Sequence, residues 1–400
     1  MGLYAVACLS DATTAWLGRH VRARRPAQVR GMENMTRRVV VSSVLASLAA
    51  LLVVALIVNS AGGDESPSAG PKGGSTVAPT STTVALSTAN PATSPGAIST
   101  PATIPSVALG AYIPGAPSQP SNIDAYAALT GTMPSIVMWY QKWAPPFNDF
   151  DVIGADAIRT RGAMPLISWE PRATHQNFDP LWSLSSIVDG DHDAYIHRWT
   201  HEVAAWGHPI YVRPMHEMNG NWTSWSPGLN GNTAAEFVSA WRHIIEIARA
   251  EGATNIRWVW CPNVDDGNPN LTPYGSIYPG DSYVDWIGLV GYNWGTSQSW
   301  SSWQDLTAVF KGSIAKIDAL TRKPLMIAEM GSAERGGDKA TWITTGFGRL
   351  MADLPEVKAL VWFNAFDARL QTDWRVESST DSLAAFRKIA ASKAFAGTLP

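Results

Sequence analysis

An α/β fold, a (β/α)8 barrel preceded by a membrane anchor and an extended linker, is what this 400-residue sequence predicts. Three observations lead there. Across residues 107–396, eight short apolar runs alternate with stretches of helical periodicity, the pattern of repeated βα units. Ahead of them lie one uninterrupted apolar segment and one stretch dominated by Ser, Thr and Pro. No glycine-rich phosphate loop follows the first run, where Gly110-Ala111-Tyr112 leads into Pro114, and this disfavours a doubly wound open sheet.

The N-terminal segment, residues 1–38, carries seven arginines against Asp11 and Glu33. Residues 39–58 contain no charge, and the predicted anchor is 39–59. Twenty residues at about 1.5 Å each span a hydrocarbon core of about 30 Å. The basic flank predicts that the N-terminal side stays cytoplasmic and the bulk of the chain is exported as a type II membrane protein. A signal peptide cleaved near Ser60 is the alternative, which would leave a secreted protein; Met32 and Met35 are alternative starts. In the predicted linker, residues 60–106, 24 of 47 residues are Ser, Thr or Pro, too polar to offset the entropy of ordering.

The predicted barrel domain, residues 107–396, has strand candidates at 107–115, 135–143, 164–171, 209–216, 255–262, 284–292, 323–329 and 357–364. Phe237, Trp241, Ile244, Ile245 and Ala248 form a helical face behind a Thr233…Glu236 capping box. Leu306, Val309, Phe310, Ile317 and Leu320 form another after Ser302…Asp305. The net charge of −3 offers no case for nucleic-acid binding. Cys8 and Cys261 lie too far apart in the chain to suggest a disulfide framework or a cysteine-rich zinc site. Of 19 tryptophans, 18 lie between Trp139 and Trp374, more than core packing ordinarily uses, so flat sugar-stacking surfaces come into consideration.

In such a barrel the reactive residues sit at the C-terminal ends of strands. Strand 3 ends in Trp169-Glu170 and strand 4 in Arg213-Pro214-Met215-His216-Glu217-Met218-Asn219-Gly220. Strand 6 ends in Gly291-Tyr292-Asn293-Trp294, strand 7 in Ala328-Glu329-Met330-Gly331 and strand 8 in Trp362-Phe363-Asn364. Glu217 and Glu329 thus each terminate an apolar run, where a carboxylate is costly unless paired or used. Facing each other across a barrel mouth, one would be held protonated and the other ionised. Glycoside hydrolysis with retention uses that arrangement, with the carboxyl groups about 5–5.5 Å apart.

The run His216-Glu217-Met218-Asn219-Gly220-Asn221-Trp222 resembles the acid/base signature of glycoside hydrolase family 26, whose best-known members are β-mannanases. Gly291-Tyr292-Asn293-Trp294, Ala328-Glu329-Met330-Gly331-Ser332, Trp362 and Asp373-Trp374-Arg375 follow in that family's order. The resemblance implies Glu217 as general acid/base and Glu329 as nucleophile, with no metal and no cofactor. It further implies that Tyr292 holds the nucleophile, Trp362 floors the −1 sugar, His216 and Trp222 contact substrate, and Arg213 orients carboxylates from below. Trp294 and Trp169 are expected to line the sugar cleft. The expected substrate is β-1,4-mannan, with mixed-linkage β-glucan and β-1,3-xylan as alternatives. Ser168-Trp169-Glu170-Pro171 departs from the mannanases, which are expected to present a substrate-binding histidine in this part of the site.

Other readings compete. A non-catalytic carbohydrate-binding envelope protein or a transglycosylase would share the anchor, the linker and the tryptophans. Glu170 suits an ion pair with Arg172 as well as a substrate contact. His197 and His201, four residues apart, read as solvated helix surface rather than a metal site, and Asp189 to Asp193 as a helix start rather than a calcium loop. The expected partners are a polysaccharide and, through the anchor, a membrane, with the chain acting as a monomer.

Overall fold

The computed structural model describes residues 106–400, except 147 and 266. The basic segment, the anchor and the linker up to residue 105 lie outside the described residues. Among the described residues no helix is long and apolar enough to cross a membrane.

Eight parallel strands close into a barrel in sequence order. They are β1 Ala108–Tyr112, β2 Ile136–Lys142, β3 Met164–Glu170, β4 Ile210–Pro214, β5 Ile256–Trp260, β6 Trp286–Asn293, β7 Leu325–Ser332 and β8 Val357–Phe363. All eight expected runs are therefore strands, with ends shifted by a few residues. The helices are α1 Ser121–Thr130, α2 Val152–Arg159, α3 Leu184–Val188, α4 Asp193–Trp206, α5 Ala234–Ala250, α6 Tyr274–Ile277, α7 Leu306–Asp318, α8 Lys339–Asp353 and α9 Thr380–Ala390. The capping box forms at α5: the Glu236 amide donates to Thr233 Oγ1 at 3.2 Å, and the Thr233 amide to Glu236 Oε2 at 2.7 Å. At α7 the cap is Asp305 itself, without a side-chain bond, so the helix starts at the second residue of the expected signal.

Successive side chains on a strand point to opposite faces, and this sorts the core into two layers. Val137, Trp139, Ile167, Trp169, Val212, Leu360 and Trp362 face outward beneath the helices. Met138, Leu166, Tyr211, Val259, Met326 and Val361 fill the barrel. One strand breaks step. On β7, Ile327 pairs with Leu289 but Glu329 with Val290, so Ala328 is an extra residue, a β-bulge. Met326 and Ala328 both face the interior, and Met330 faces out. The bulge thereby turns Glu329 inward, where strict alternation would have sent it toward the helices.

Most of the tryptophans turn out to be structural. Trp143, Trp169, Trp199, Trp225, Trp241, Trp260, Trp362 and Trp374 are fully buried, and truncating such a side chain costs about 3–5 kcal/mol. Six of the eight indole N–H groups find acceptors inside the protein, as when Trp241 donates to the Tyr283 carbonyl at 2.9 Å and Trp260 to that of Ile277 at 3.1 Å, while that of Trp143 is buried without one. The C-terminal tail closes the bottom: Ala396 bridges Ala108, and Tyr211 Oη donates to the Pro400 carbonyl at 3.2 Å. The barrel domain thus runs past its expected boundary at residue 396.

Candidate active site

The chain leaves β4 through two left-handed residues, Met215 (φ 50°) and Glu217 (φ 56°). For side chains other than glycine this conformation costs of order 1–3 kcal/mol and must be held by its surroundings. The Glu217 amide donates to the Cys261 carbonyl at 2.7 Å, and Trp225 Nε1 to the His216 carbonyl at 2.8 Å. Asn219 and Asn263 clamp the loops after β4 and β5 together through two side-chain–backbone bonds of 3.0 and 2.8 Å. Gly220 makes room for the next aromatic, because a Cβ there would stand 2.5 Å from the Trp222 ring.

The result is a carboxyl group fixed at both oxygens. Trp222 Nε1 donates to Glu217 Oε2 at 2.7 Å, and Asn263 Nδ2 to Oε1 at 2.6 Å. Burial and then the charge of Glu329 push the Glu217 carboxyl above its ordinary range, while the two donors pull the other way without prevailing. Opposite, Tyr292 Oη donates to Glu329 Oε1 at 2.5 Å. Tyr140 Oη donates to Oε2 at 2.6 Å, and Arg213 Nη2 forms a short ion pair with the same oxygen. Arg213 is wholly buried, with its Nε bonded to Ser168 Oγ at 2.6 Å. Burial works against its charge, yet Glu329 beside it holds the guanidinium well above its usual pKa. Burial, followed by Glu329, raises both phenols well above the usual tyrosine value, so they stay protonated donors.

Of the residues expected at the site, Glu217, Glu329, Trp222, Tyr292 and Trp294 line one cleft of about 870 Å³. Arg213 does not line it but holds Glu329 from the buried side. His216 is 6% exposed, its Nδ1 has no hydrogen-bond partner, and burial together with Arg213 and Arg172 holds its pKa well below the usual value. A neutral imidazole therefore packs beside Tyr140, with the ring centroids 5.6 Å apart.

Two expected residues are elsewhere. Trp362 does not floor the cleft: it faces outward, bonds to the Trp374 carbonyl at 2.7 Å and packs against Trp342, Phe347 and Phe386. Its neighbour Phe363 points into the barrel mouth and stacks on Tyr112 at 4.6 Å. Trp169 is also turned outward, stacked on Trp199 at 4.1 Å with its indole bonded to Tyr195 Oη at 2.9 Å. In both cases strand parity assigns the residue to the helix layer. The same parity points Tyr140 inward; the sequence reading takes in the strand-2 end, Trp139 to Lys142, and the runs holding Phe363 and Trp374 without giving these residues a role, and does not single out Asn263. Glu170 forms the ion pair with Arg172, whose guanidinium lies 5.1 Å from the Trp225 ring and so braces the loop carrying His216. His197 and His201 each place Nδ1 near one oxygen of Glu251, at 2.7 and 3.1 Å on the outer surface.

Residues 187–335, the stretch from α3 through β7 that contains both glutamates, match glycosyl hydrolase family 26. The chain belongs to that family. Among curated relatives, endoglucanase H of Acetivibrio thermocellus is 39% identical over 288 residues, 70% of this chain and 30% of that protein. A mannan endo-1,4-β-mannosidase of Bacillus subtilis is 30% identical over 133 residues, 32% of this chain and 33% of that one. A β-1,3-xylanase of a Vibrio species is 26% identical over 178 residues, 42% and 35% of the two chains. This family 26 chain thus spans about a third of the length of these three curated relatives. Solved family 26 barrels share the fold. The catalytic domain of an endo-β-1,4-mannanase from Bacillus sp. JAMB-750 aligns with TM-score 0.52 at 21% identity, covering 67% of this chain and 79% of that one. A β-mannanase from Bacteroides ovatus gives 0.52 at 18% identity, covering 72% and 90%.

Proposed function

We propose that this family 26 barrel is a retaining, endo-acting hydrolase of β-linked polysaccharide, working by double displacement. The observation that carries the reading is the pair of unlike carboxyl groups in one cleft: Glu217 pushed toward its protonated form, Glu329 tied by an ion pair and two phenols. Protonated Glu217 donates to the glycosidic oxygen as Glu329 attacks the anomeric carbon, giving a glycosyl-enzyme ester and a free leaving chain. Glu217, now a carboxylate, takes a proton from water, whose oxygen displaces Glu329 and restores both groups. A carboxylate oxygen offers two lone pairs. Tyr140 and Arg213 occupy both on Oε2, whereas Tyr292 takes only one on Oε1, so Oε1 is the attacking atom.

Two points support β-glucan, mixed-linkage included, ahead of the expected β-1,4-mannan. The relative named an endoglucanase matches 70% of the chain, the mannosidase 32%. The end of β3, where the family resemblance led us to expect a histidine in mannanases, holds the buried Glu170–Arg172 pair. The uncharged segment and linker read from the sequence support display of the barrel outside a membrane, and we propose that the chain acts there as a monomer.

The test is incubation of the full chain with β-glucan, galactomannan, glucomannan and β-1,3-xylan, beside Glu217→Gln and Glu329→Gln. We expect β-glucan to be cut internally, the first product to keep the β configuration by NMR, and both variants to fall by at least 10³-fold, the order of losing an acid/base or a nucleophile. An α-configured first product, or full activity in either variant, would end the reading. Cleavage of mannan alone would reverse the order of substrates and leave the chemistry standing.

A further inference from the structure

One aromatic of the cleft has no part in the chemistry. Trp300 is 67% exposed, yet it lines the same cleft as Glu217 and Glu329. It ends a file of rings leading outward from the nucleophile. Tyr292 bonds Glu329, the Trp294 ring lies 5.8 Å from that of Tyr292, and the Trp300 ring lies 5.2 Å from Trp294, edge to face.

The loop after β6 that carries Trp300 is fastened at both ends. Gly295 sits at φ +52°, and a Cβ there would stand 1.8 Å from the Arg335 carbonyl oxygen, so only glycine fits. The Thr296 amide donates to that same oxygen at 3.0 Å. Ser301 Oγ donates to the Gly295 carbonyl at 2.8 Å, closing the loop beneath the tryptophan. Gln298 Nε2 donates to the Leu370 carbonyl at 2.8 Å, tying the loop to the one after β8. An exposed indole on a braced loop binds a flat apolar face with little ordering cost. The cleft that Trp300 lines also carries the polar side chains of Ser301, Ser302, Gln304, Asp367 and Arg369, beside apolar Val309 and Leu370. Such lining supplies hydroxyl partners beside one aromatic plate, which suits a sugar and not an extended apolar ligand.

We propose that Trp300 is an outer glycan subsite, a platform on which a pyranose of a β-linked chain stacks beyond the sugars at the cleavage point. The inference rests on the hydrolase reading for its substrate class and adds to it a preference for long chains.

The experiment compares the full chain with Trp300→Ala and Trp300→Phe on the cleaved polymer and on a short aryl β-glycoside. In Trp300→Ala, polymer kcat/KM falls about tenfold relative to aryl glycoside kcat/KM, equivalent to about 1.4 kcal/mol. Trp300→Phe recovers most of that ratio. Equal loss on both substrates, or loss on neither, overturns the subsite. Affinity electrophoresis of Glu329→Gln with and without Trp300→Ala, in gels containing each of the four polymers, reads the platform without turnover. Retardation that Trp300→Ala abolishes supports it; equal retardation, or none, overturns it. The hydrolase reading stands or falls separately, on turnover by the wild-type chain.

Discussion

The proposed acid/base can be retuned without touching it. In the proposed mechanism Glu217 is active as an acid only while protonated, so kcat/KM falls as pH rises through its pKa. Burial and Glu329 raise that pKa; the Trp222 and Asn263 hydrogen bonds lower it. Trp222→Phe keeps the ring and removes the indole donor that stands 2.7 Å from Oε2. A hydrogen bond to an ionised acceptor contributes about 1.5–3 kcal/mol, and one to a neutral acceptor about 1. Losing it therefore disfavours the carboxylate over the acid by roughly 1–1.5 kcal/mol, about one pH unit. The alkaline limb of kcat/KM should move up by about that much, with the acidic limb and Tm nearly unchanged because Trp222 is partly exposed. Asn263→Ala removes the 2.6 Å donor to Oε1 and should move the same limb in the same direction. The assay is initial rate on polymer across pH, at substrate well below KM. A limb that stays put, or moves to lower pH, in both variants would refute this account of Glu217.

Three further outcomes follow from the same contacts. Tyr292→Phe should lower kcat/KM by about ten- to a hundredfold, the scale of one hydrogen bond to a charged group, and Tyr140→Phe by less, since Arg213 still holds Oε2; steady-state kinetics decides. Arg213→Met strands Glu329 without its buried cation and should destabilise the fold by about 3–5 kcal/mol, read as the shift of a urea midpoint. Lys339 is 1% exposed, and burial lowers its pKa from 10.5 to about 8 despite Glu334, Asp373 and Glu377 nearby. Below pH 8 its buried charge costs about 3 kcal/mol, and the cost disappears as pH rises from 8 to 10.5, where the unfolded chain holds more protons than the native one. The stability of wild type relative to Lys339→Met, measured in urea at pH 7.5 and 10, should rise with pH; a constant difference would contradict the buried-amine account.

The barrel was legible because eight apolar runs and their intervening helices are long-range regularities that no single side chain disturbs. The two glutamates were legible because a carboxylate at the end of a buried strand is conspicuous. Aim was harder to read. Trp362 and Trp169 are large and sit at strand ends, so they look like sugar platforms, but counting in twos from the barrel-filling residues Val361 and Leu166 turns both to the helix side. The same count selects Tyr140 from Met138. Asn263 carries no such signal, because only the clamp with Asn219 brings its amide to Glu217.

Counting in twos would have failed at the most important position. Glu329 reaches the cleft because Ala328 occupies a place with no partner on the neighbouring strand. Pairing the same residues without that bulge would shift everything from Glu329 onward by one place and swing its carboxylate into the space beneath the helices. Every recognisable letter of the active site would survive, and the catalyst would not. For this architecture, then, activity is inherited through spacing as much as through identity. A relative one residue shorter between Ile327 and Glu329 would aim its glutamate inward by plain alternation, whereas one of this length depends on the bulge.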